Sequence, residues 1–240
     1  MSGSECWTEY TTTAWHSASI ALDTPAWPLP ETASRDTPGP LHAFLKRTMD
    51  LLVAAAGILV TAPLWGLIAL AIKATSRGPV FFTQLRAGTD GVPFRMLKFR
   101  SMVTDAEERL KTLVNVDALP EPVYKLDHDP RVTPVGKFLR RYGLDELPQL
   151  VNILRGEMSM VGPRPEVVGL ARRYTPEQRR RLAVKPGLTG YQQIHNRGMP
   201  DMAARLAYDL DYLRRQSVLL DIWILVATVF VIASGKEITY

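Results

Sequence analysis

Two adjacent carboxylates, Asp145 and Glu146, open the stretch of this sequence whose residue types could do chemistry. Apolar residues follow at positions 147, 150, 151 and 154, the i, i+3, i+4, i+7 spacing that predicts a core-facing helix. The first turn of a helix has unpaired N–H groups and a partial positive charge, so we expect Asp145 to stay ionised. The same helix end could hold a phosphate. The alternative is that the two acids only cap the helix.

Basic residues that suit a phosphate lie on both sides of this pair. Arg164 follows the helix after a short loop, between Pro163 and Pro165, and the two prolines would stiffen its approach. Upstream, residues 80–84 and 94–100 flank a glycine-rich turn and predict two short antiparallel strands. The strands carry four cations, namely Arg86, Arg95, Lys98 and Arg100. These cations fit either a solvated strand face or a phosphate site.

Composition excludes several other kinds of site. The chain has 240 residues and a hydrophobic share of 46%, enough for one or two packed domains. Its single cysteine, Cys6, excludes an internal disulfide and a cysteine-based metal site. The four histidines have no ligand spacing, so we expect no zinc site.

The net charge of +5 is unevenly distributed along the chain. Residues 1–45 hold one arginine and five acidic residues, a net charge of −4, which leaves +9 for the remainder. A basic body suits phosphate-bearing ligands, nucleic acid or an anionic membrane surface, and charge alone does not choose among them.

An uncharged apolar run at residues 51–72 has the length needed to cross a bilayer. Pro63 lies in its middle, where it removes a backbone donor, and we expect a sharp kink or a break there. Basic residues flank both ends and give no clear positive-inside asymmetry. The residues alone leave open a straight or kinked span, a re-entrant hairpin that returns to the same face, and a soluble core helix.

The ends of the chain have different characters. Residues 1–42 are rich in Thr, Ser and Pro and predict a disordered tail without a signal peptide. Residues 222–233 form an apolar run of about half a span, typical of a buried or interfacial helix.

Between the two ends of the chain, capping signatures at Thr104 and Thr175 predict two helices. The second helix carries Arg179, Arg180 and Arg181, interpreted as a solvated face or a contact with anionic headgroups.

Six segments form one larger pattern: 96–102 (MLKFRSM), 129–133 (DPRVT), 136–141 (GKFLRR), 144–149 (LDELPQ), 155–165 (RGEMSMVGPRP) and 185–190 (KPGLTG). In this order and spacing the pattern resembles the bacterial sugar transferases of the monotopic polyprenyl-phosphate phosphoglycosyl transferase type, in their compact catalytic form. The resemblance covers roughly residues 43–235, and the joined DELPQ and VGPRP segments make it specific.

The resemblance implies an enzyme that transfers a sugar-1-phosphate from a nucleoside diphosphate sugar, usually a UDP-sugar, to undecaprenyl or a related polyprenyl phosphate. Asp145 would attack the sugar-bearing phosphorus and release UMP, and Glu146 would hold Mg²⁺. A carboxylate is a known phosphoryl nucleophile, and Mg²⁺ commonly binds one or two carboxylates together with substrate phosphate. The candidate substrate-binding residues are Arg164, Pro165, Lys98, Arg100, Arg140 and Arg197.

The resemblance also implies a re-entrant helix broken at Pro63, with both ends cytoplasmic. The family commonly has Ser-Pro at the break, whereas this sequence has Ala62-Pro63, and Thr61 is expected to bond a carbonyl that the proline frees. Gly143 replaces a usual Ser or Thr, and the loop after Gly190 also departs from the family. These departures lie where nucleotide or sugar preference could be set, so the donor is not transferred by analogy.

We therefore expect a mostly helical, membrane-embedded α+β enzyme of the bacterial inner membrane, with its site on the cytoplasmic face. Its parts would be a tail (1–42), a re-entrant membrane helix (43–76) and a catalytic domain (77–240) that ends in an interfacial helix. The expected partners are a nucleotide-sugar donor, polyprenyl phosphate and membrane lipid. Nucleic acid is not expected, because no recognition motif is present and the apolar run would be unexplained. A homo-oligomer is left open, and the alternative function is an inactive membrane scaffold or nucleotide-sugar-binding protein.

Overall fold

The computed structural model describes residues 39–113, 126, 129–195 and 202–233. These residues form mostly helices with two small sheets, which confirms the predicted mostly helical α+β class. In chain order the elements are α1 (Pro40–Thr75), β1 (Phe81–Ala87), β2 (Pro93–Phe99), α2 (Ala106–Leu113), α3 (Pro134–Arg141), α4 (Gln149–Arg155), β3 (Ser159–Val161), α5 (Val168–Arg172), α6 (Pro176–Arg179), β4 (Gly187–Thr189), α7 (Tyr191–His195), α8 (Met202–Arg215) and α9 (Val218–Ala233). The predicted tail lies outside the described residues except for its last four, which lead into and begin α1.

The predicted hairpin is present as the antiparallel pair β1 and β2, in register from Phe81 opposite Phe99 to Ala87 opposite Pro93. A second sheet, the parallel pair β3 and β4, was not predicted, because each strand has only three residues. Gly187 in β4 lies so close to the backbone of Gly162 that a Cβ atom would have no room. This close approach joins the VGPRP segment to the KPGLTG segment.

The main core surrounds α4, which lies between α1 and the hairpin. Leu150 and Ile153 of α4 pack with Ala54 of α1, Met96 of β2 and Ile224 of α9. The predicted core face is confirmed at Leu150, but Leu154 is exposed and Ile153 is buried in its place. The residues that follow the two carboxylates are therefore fixed on three sides.

A second core cluster holds the other half of α1. Ile68 and Ile72 of α1 pack with Phe99 of β2 and Leu139 of α3, and all four side chains are buried. Leu147, just before α4, packs against both this cluster and the main core. Both halves of α1 therefore rest on the same body.

The apolar run forms one continuous helix, α1, which passes through Pro63 without ending, so the expected break at Pro63 is absent. It is long and apolar enough to cross a membrane by length and composition. The hydroxyl of Thr61 donates to the Gly57 carbonyl at 2.6 Å, and not to the Leu59 carbonyl that the missing Pro63 N–H leaves open. The expected role of Thr61 at a freed carbonyl is therefore wrong.

Polar contacts tie both ends of α1 to the body. At its start, the Lys46 ammonium donates to Asp221 of α9 at 2.6 Å, and the Arg47 guanidinium donates to the carbonyl of Ile153 at 2.7 Å. At its end, the Arg100 guanidinium donates to the carbonyls of Ser76 and Arg77. The Arg100 bonds satisfy carbonyls where the chain leaves the helix, and a cation there also suits the helix dipole.

Candidate active site

Asp145 and Glu146 lie in a 3-10 turn, Leu144–Glu146, and not in the first turn of an α-helix as predicted. The turn follows Gly143, whose φ of 66° places it in the left-handed region. A side chain is strained at such a φ, so glycine suits this position. α4 begins only at Gln149, so the two carboxylates precede the helix by one turn. Both are buried, with 2% and 7% of their surfaces exposed.

Glu146 is held by two cations on one oxygen. The Lys98 ammonium donates to Oε1 at 2.7 Å, and the Arg164 guanidinium donates to the same atom at 3.3 Å. Burial by itself would raise the pKa of Glu146, but Lys98 and then Arg164 outweigh it and lower the pKa to about 2. Glu146 is therefore ionised and charge-paired.

Asp145 has a contrasting environment. Its Oδ1 atom is buried and has no hydrogen-bond partner among the described residues. Burial raises the pKa of Asp145 to about 6, against the charges of Lys98 and Arg140, while the Glu146 charge adds to the rise. Asp145 is still mainly ionised at neutral pH, but burial opposes its charge and no helix end holds it.

Arg164 is aimed at this pair by a fully bonded loop. The carbonyls of four successive residues, 163 to 166, each accept a hydrogen bond from a different group: Gly187 N–H at 2.9 Å, Arg181 Nη2 at 3.3 Å, Arg86 Nη1 at 3.1 Å and Ala87 N–H at 2.9 Å. Prolines at 163 and 165 cannot donate, so these acceptor bonds fix the backbone on both sides of Arg164.

Arg181 is buried and not solvated, which corrects the interpretation of the arginine triplet as a solvated face or headgroup contact at this residue. Its guanidinium lies 2.7 Å from a carboxylate oxygen of Asp209 in α8 and 2.7 Å from the Tyr174 hydroxyl. Its guanidinium also donates to the Arg164 carbonyl and so helps to fix the backbone that carries the Arg164 side chain.

The other predicted residues fall in different places. Lys98 is in the site, and the charge of Arg140 acts on Asp145 from the end of α3. Arg100 is turned away and bonded to the end of α1. The Pro165 carbonyl is bonded to Arg86, and Arg197 lies outside the described residues.

Sequence reasoning passed over two buried amides on α4. Gln149 lies beside the Glu146 carboxylate and helps to lower its pKa, but its Nε2 atom makes no hydrogen bond of ordinary geometry within the described chain. Asn152 is completely buried and bonds the backbone of β2. The apolar spacing gave no signal for either amide, because at about 100° per residue positions 149 and 152 lie on the side of the helix opposite positions 147, 150, 151 and 154.

The donor set fits a magnesium ion that is shared with a substrate. The described residues contain no cluster of three or more His, Cys, Asp or Glu that could hold a metal alone. Mg²⁺ commonly takes one or two carboxylates and completes its shell with phosphate and water. The ionised carboxylate of Glu146 could supply one such ligand.

A model of the family described as "Bacterial sugar transferase" matches residues 41–235 of this chain. The chain is 41% identical over 194 residues to the exopolysaccharide production protein ExoY of Rhizobium meliloti (strain 1021), which covers 79% of this chain and 86% of that protein. It is 43% identical over 204 residues to the UDP-glucose:undecaprenyl-phosphate glucose-1-phosphate transferase of Escherichia coli (strain K12).

A third relative is the undecaprenyl-phosphate galactose phosphotransferase of Salmonella typhimurium (strain LT2), 40% identical over 194 residues, 79% of this chain. The matches cover 42% of the Escherichia coli protein and 40% of the Salmonella protein, so the chain spans about two fifths of their length. Asp145, Glu146 and Arg164 all lie within the part that the family model matches.

Proposed function

The chain belongs to the bacterial sugar transferase family, and on that premise we propose that it is a phosphoglycosyl transferase. It transfers a sugar-1-phosphate from a nucleoside diphosphate sugar, a UDP-sugar in the first instance, to undecaprenyl phosphate or a related polyprenyl phosphate. Two relatives are named for transfer of glucose or galactose phosphate involving undecaprenyl phosphate, and a third for exopolysaccharide production. The reaction is the first membrane step in building a polysaccharide or glycoconjugate.

The observation that carries the proposal is the unequal treatment of two adjacent acids. Oε1 of Glu146 accepts from Lys98 and Arg164, whereas Oδ1 of Asp145 is buried without a partner in the described chain. A nucleophile needs an unoccupied lone pair and little solvation, and Asp145 has both. Two acids with environments this different suit two roles.

In the first step, a carboxylate oxygen of Asp145 attacks the phosphorus that bears the sugar. A new bond forms between that oxygen and the phosphorus, and the phosphoanhydride bond to the nucleotide breaks. Its electron pair leaves with the bridging oxygen on UMP. The product is an aspartyl-phosphosugar on the enzyme.

In the second step, a phosphate oxygen of the polyprenyl phosphate attacks the same phosphorus. The bond to Asp145 breaks and its electron pair returns to the carboxylate, which restores the enzyme. The product is a polyprenyl diphosphate sugar. No proton donor is required in either step, so the site needs only orientation and positive charge.

Positive charge in the site comes from this chain and from a bound Mg²⁺, which would be held by Glu146 with Asp145 close by and would neutralise diphosphate oxygens. Arg164 and Lys98 already converge on Glu146. Arg164 can offer a fork to two phosphate oxygens, while Lys98 supplies a point charge. Arg140 adds a further positive charge near Asp145.

The acceptor is a lipid, and α1 supplies a surface that suits the membrane. Leu59 and Val60, next to Pro63, are 76% and 79% exposed, the highest values among the large apolar side chains of α1. Both ends of α1 are tied to the body that contains Asp145. This supports a helix that enters the bilayer around Pro63 and returns to the same, cytoplasmic face of the inner membrane.

The helix α9 adds a second apolar surface to the same assembly. Leu219, Val229 and Phe230 are at least 66% exposed, and Asp221 binds Lys46 at the start of α1. We assign α9 to the membrane interface, where its outward residues contact lipid. The tail and Arg197 stay predictions, and so does a substrate contact of the Pro165 ring.

The test is UMP release from a panel of UDP-sugars by the full chain in nanodiscs, with Mg²⁺ and undecaprenyl phosphate. We expect release with one or a few sugars, its loss in Asp145→Ala, and labelling of Asp145 when a radioactive donor is given without acceptor. Donor binding without turnover across the panel would instead indicate a nucleotide-sugar-binding scaffold. Transfer that proceeds in Asp145→Ala would remove the nucleophile assignment.

A further inference from the structure

A buried amide joins the element that carries the two acids to the strand that carries Lys98. Asn152 lies on α4, six residues after Glu146. None of its surface is exposed. Its Oδ1 accepts from the Leu97 N–H at 2.9 Å, and its Nδ2 donates to the Arg95 carbonyl at 2.7 Å. One side chain therefore satisfies two backbone groups of β2.

These two groups lie on the edge of β2 that faces away from β1. The sheet has only two strands, and in an antiparallel pair the N–H and C=O of a residue point to the same side. Residues 95 and 97 are two apart, so their groups share a side, and Asn152 occupies it in place of a third strand. The amide thus fixes where along β2 the helix α4 sits.

That register matters because Lys98 is the next residue after Leu97. The Lys98 ammonium reaches Oε1 of Glu146 at 2.7 Å, while the Leu97 amide reaches Asn152 at 2.9 Å. The strand and the segment 146–152 are therefore attached at two points about two turns apart along the segment. Apolar packing of Leu150 and Met96 is non-directional and would allow a slide, whereas two directed attachments do not.

We propose that Asn152 is a positioning residue, which holds Lys98 against Glu146 by replacing the missing third strand at the edge of β2. The proposal rests on the function given above, in which Glu146 and Asp145 act on a diphosphate. The side-chain hydrogen bonds of Asn152 go to Leu97, Arg95 and Glu157, and not to Asp145 or Glu146. Its effect passes through the backbone of β2.

A third bond of Asn152 provides a matched control. Nδ2 also donates to Oε2 of Glu157 at 2.6 Å, and the structure gives Glu157 no bond to β2. Glu157→Ala removes this bond alone, whereas Asn152→Ala removes all three. The paired variant Asn152→Asp with Glu157→Gln exchanges donor and acceptor across the contact and keeps the net charge. It retains an acceptor for the Leu97 N–H, but it loses the bond to the Arg95 carbonyl and places a carboxylate oxygen against that carbonyl.

The experiment compares these variants with wild type as full chains in nanodiscs. We measure UMP release, amide exchange of the peptide 93–99, and modification of Lys98 by an amine-reactive reagent followed by mass spectrometry. For Asn152→Ala we expect at least a tenfold loss of kcat, faster exchange in β2 and faster Lys98 modification. The paired variant should fall between it and wild type, and Glu157→Ala should stay within twofold of wild type in all three measurements.

Wild-type exchange and Lys98 modification in Asn152→Ala would overturn the proposal, and so would an equal loss in Glu157→Ala. If Asn152→Ala does not fold, the paired variant decides by the same three measurements. Exchange and modification need no turnover, so they test the positioning role even if wild type releases no UMP. In that case the proposed function fails and the role of Asn152 is judged separately.

Discussion

Oε1 of Glu146 accepts hydrogen bonds at 2.7 Å and 3.3 Å, whereas Oδ1 of Asp145, one residue earlier, accepts none within the described part of the chain. The difference arises from the 3-10 turn, which points the two adjacent side chains into unlike surroundings. One acid is stabilised as an anion and the other is destabilised as an anion. The free energy of unfolding should therefore change in opposite directions when the two acids are neutralised, although both changes should impair catalysis.

Asp145→Asn should abolish UMP release and also stabilise the fold at neutral pH. A pKa raised from its ordinary 3.8 to about 6 costs the folded protein about 3 kcal/mol at pH values above 6. The amide removes that cost but is itself buried, so we expect a net gain of about 1 to 3 kcal/mol. Thermal unfolding in nanodiscs with EDTA at pH 7.5 measures it.

The pH dependence of this gain has a definite sign. The folded protein binds the Asp145 proton more tightly than the unfolded chain, so the cost is full above pH 6, declines below it and vanishes below about pH 4. The advantage of Asp145→Asn over wild type should therefore shrink between pH 7.5 and pH 5. An advantage that grows as the pH falls would contradict a raised pKa.

Glu146→Gln should have the reverse effect on stability. It leaves Lys98 and Arg164 without their buried anion, and breaking such a pair typically costs about 3 to 5 kcal/mol.

Because Glu146 is also the proposed Mg²⁺ ligand, the Mg²⁺ concentration for half-maximal UMP release by Glu146→Gln should rise by at least about tenfold, or release should vanish. Titration with Mg²⁺ measures this, with Glu157→Gln as the control. An unchanged Mg²⁺ requirement in an active Glu146→Gln variant would remove the ligand role.

Local sequence patterns predicted the hairpin, the capped helix after Thr175 and the grouping of Asp145, Glu146 and Arg164. Those features depend on spacing within about 20 residues, which a single sequence displays. The pairing of Arg181 with Asp209 joins residues 28 positions apart, and a triplet of arginines on a short helix is typical of a solvated face. The bond from Arg100 to the end of α1 could not be predicted either, because it also joins residues that are far apart in the sequence.

The bonds of Asn152 to β2 illustrate a different difficulty. The apolar spacing places Asn152 on the polar side of the helix, so neither its burial nor its bonds to β2 could be predicted. These bonds exist only because the sheet stops at two strands and leaves an edge open. Edge positions follow from the whole topology, which local periodicity does not contain.

Pro63→Ala should shift α1 towards a straight membrane span. Alanine restores the N–H that bonds the Leu59 carbonyl, and the bend that the proline permits loses its advantage. Cysteines placed at two exposed flanks, Phe44→Cys and Thr75→Cys in a Cys6→Ser background, report the topology through a membrane-impermeant maleimide. Both flanks should label only from the cytoplasmic side when Pro63 is present, and a fraction of one flank should label from outside in the Pro63→Ala variant.

The control for this experiment is Pro134→Ala. Pro134 is the first residue of α3, where a missing N–H breaks no helical bond, so its replacement should leave the labelling unchanged. The contacts of Lys46 and Arg100 at the two ends of α1 oppose straightening. Lys46→Met should therefore increase the outside-labelled fraction in the Pro63→Ala background. Exclusively cytoplasmic labelling in the double variant would show that Pro63 does not control the topology.

Arg164 and Arg100 are two arginines of the same candidate set that make different contacts in the structure. Arg164 contacts Glu146, while Arg100 is bonded to carbonyls at the end of α1. A charged hydrogen bond contributes about 1.5 to 3 kcal/mol, so Arg164→Met should raise the donor KM by about 10- to 150-fold. Arg164→Lys should recover only part of it, because lysine keeps the charge and loses the fork. Arg100→Met should leave the donor KM within about twofold and lower the unfolding midpoint, since it orphans carbonyls beside the membrane helix. Steady-state UMP release and thermal unfolding of the three variants, in the same nanodiscs, distinguish an effect on donor binding from an effect on stability.

A donor KM raised equally by Arg100→Met would return Arg100 to the substrate site and would mean that its side chain moves there when the donor binds.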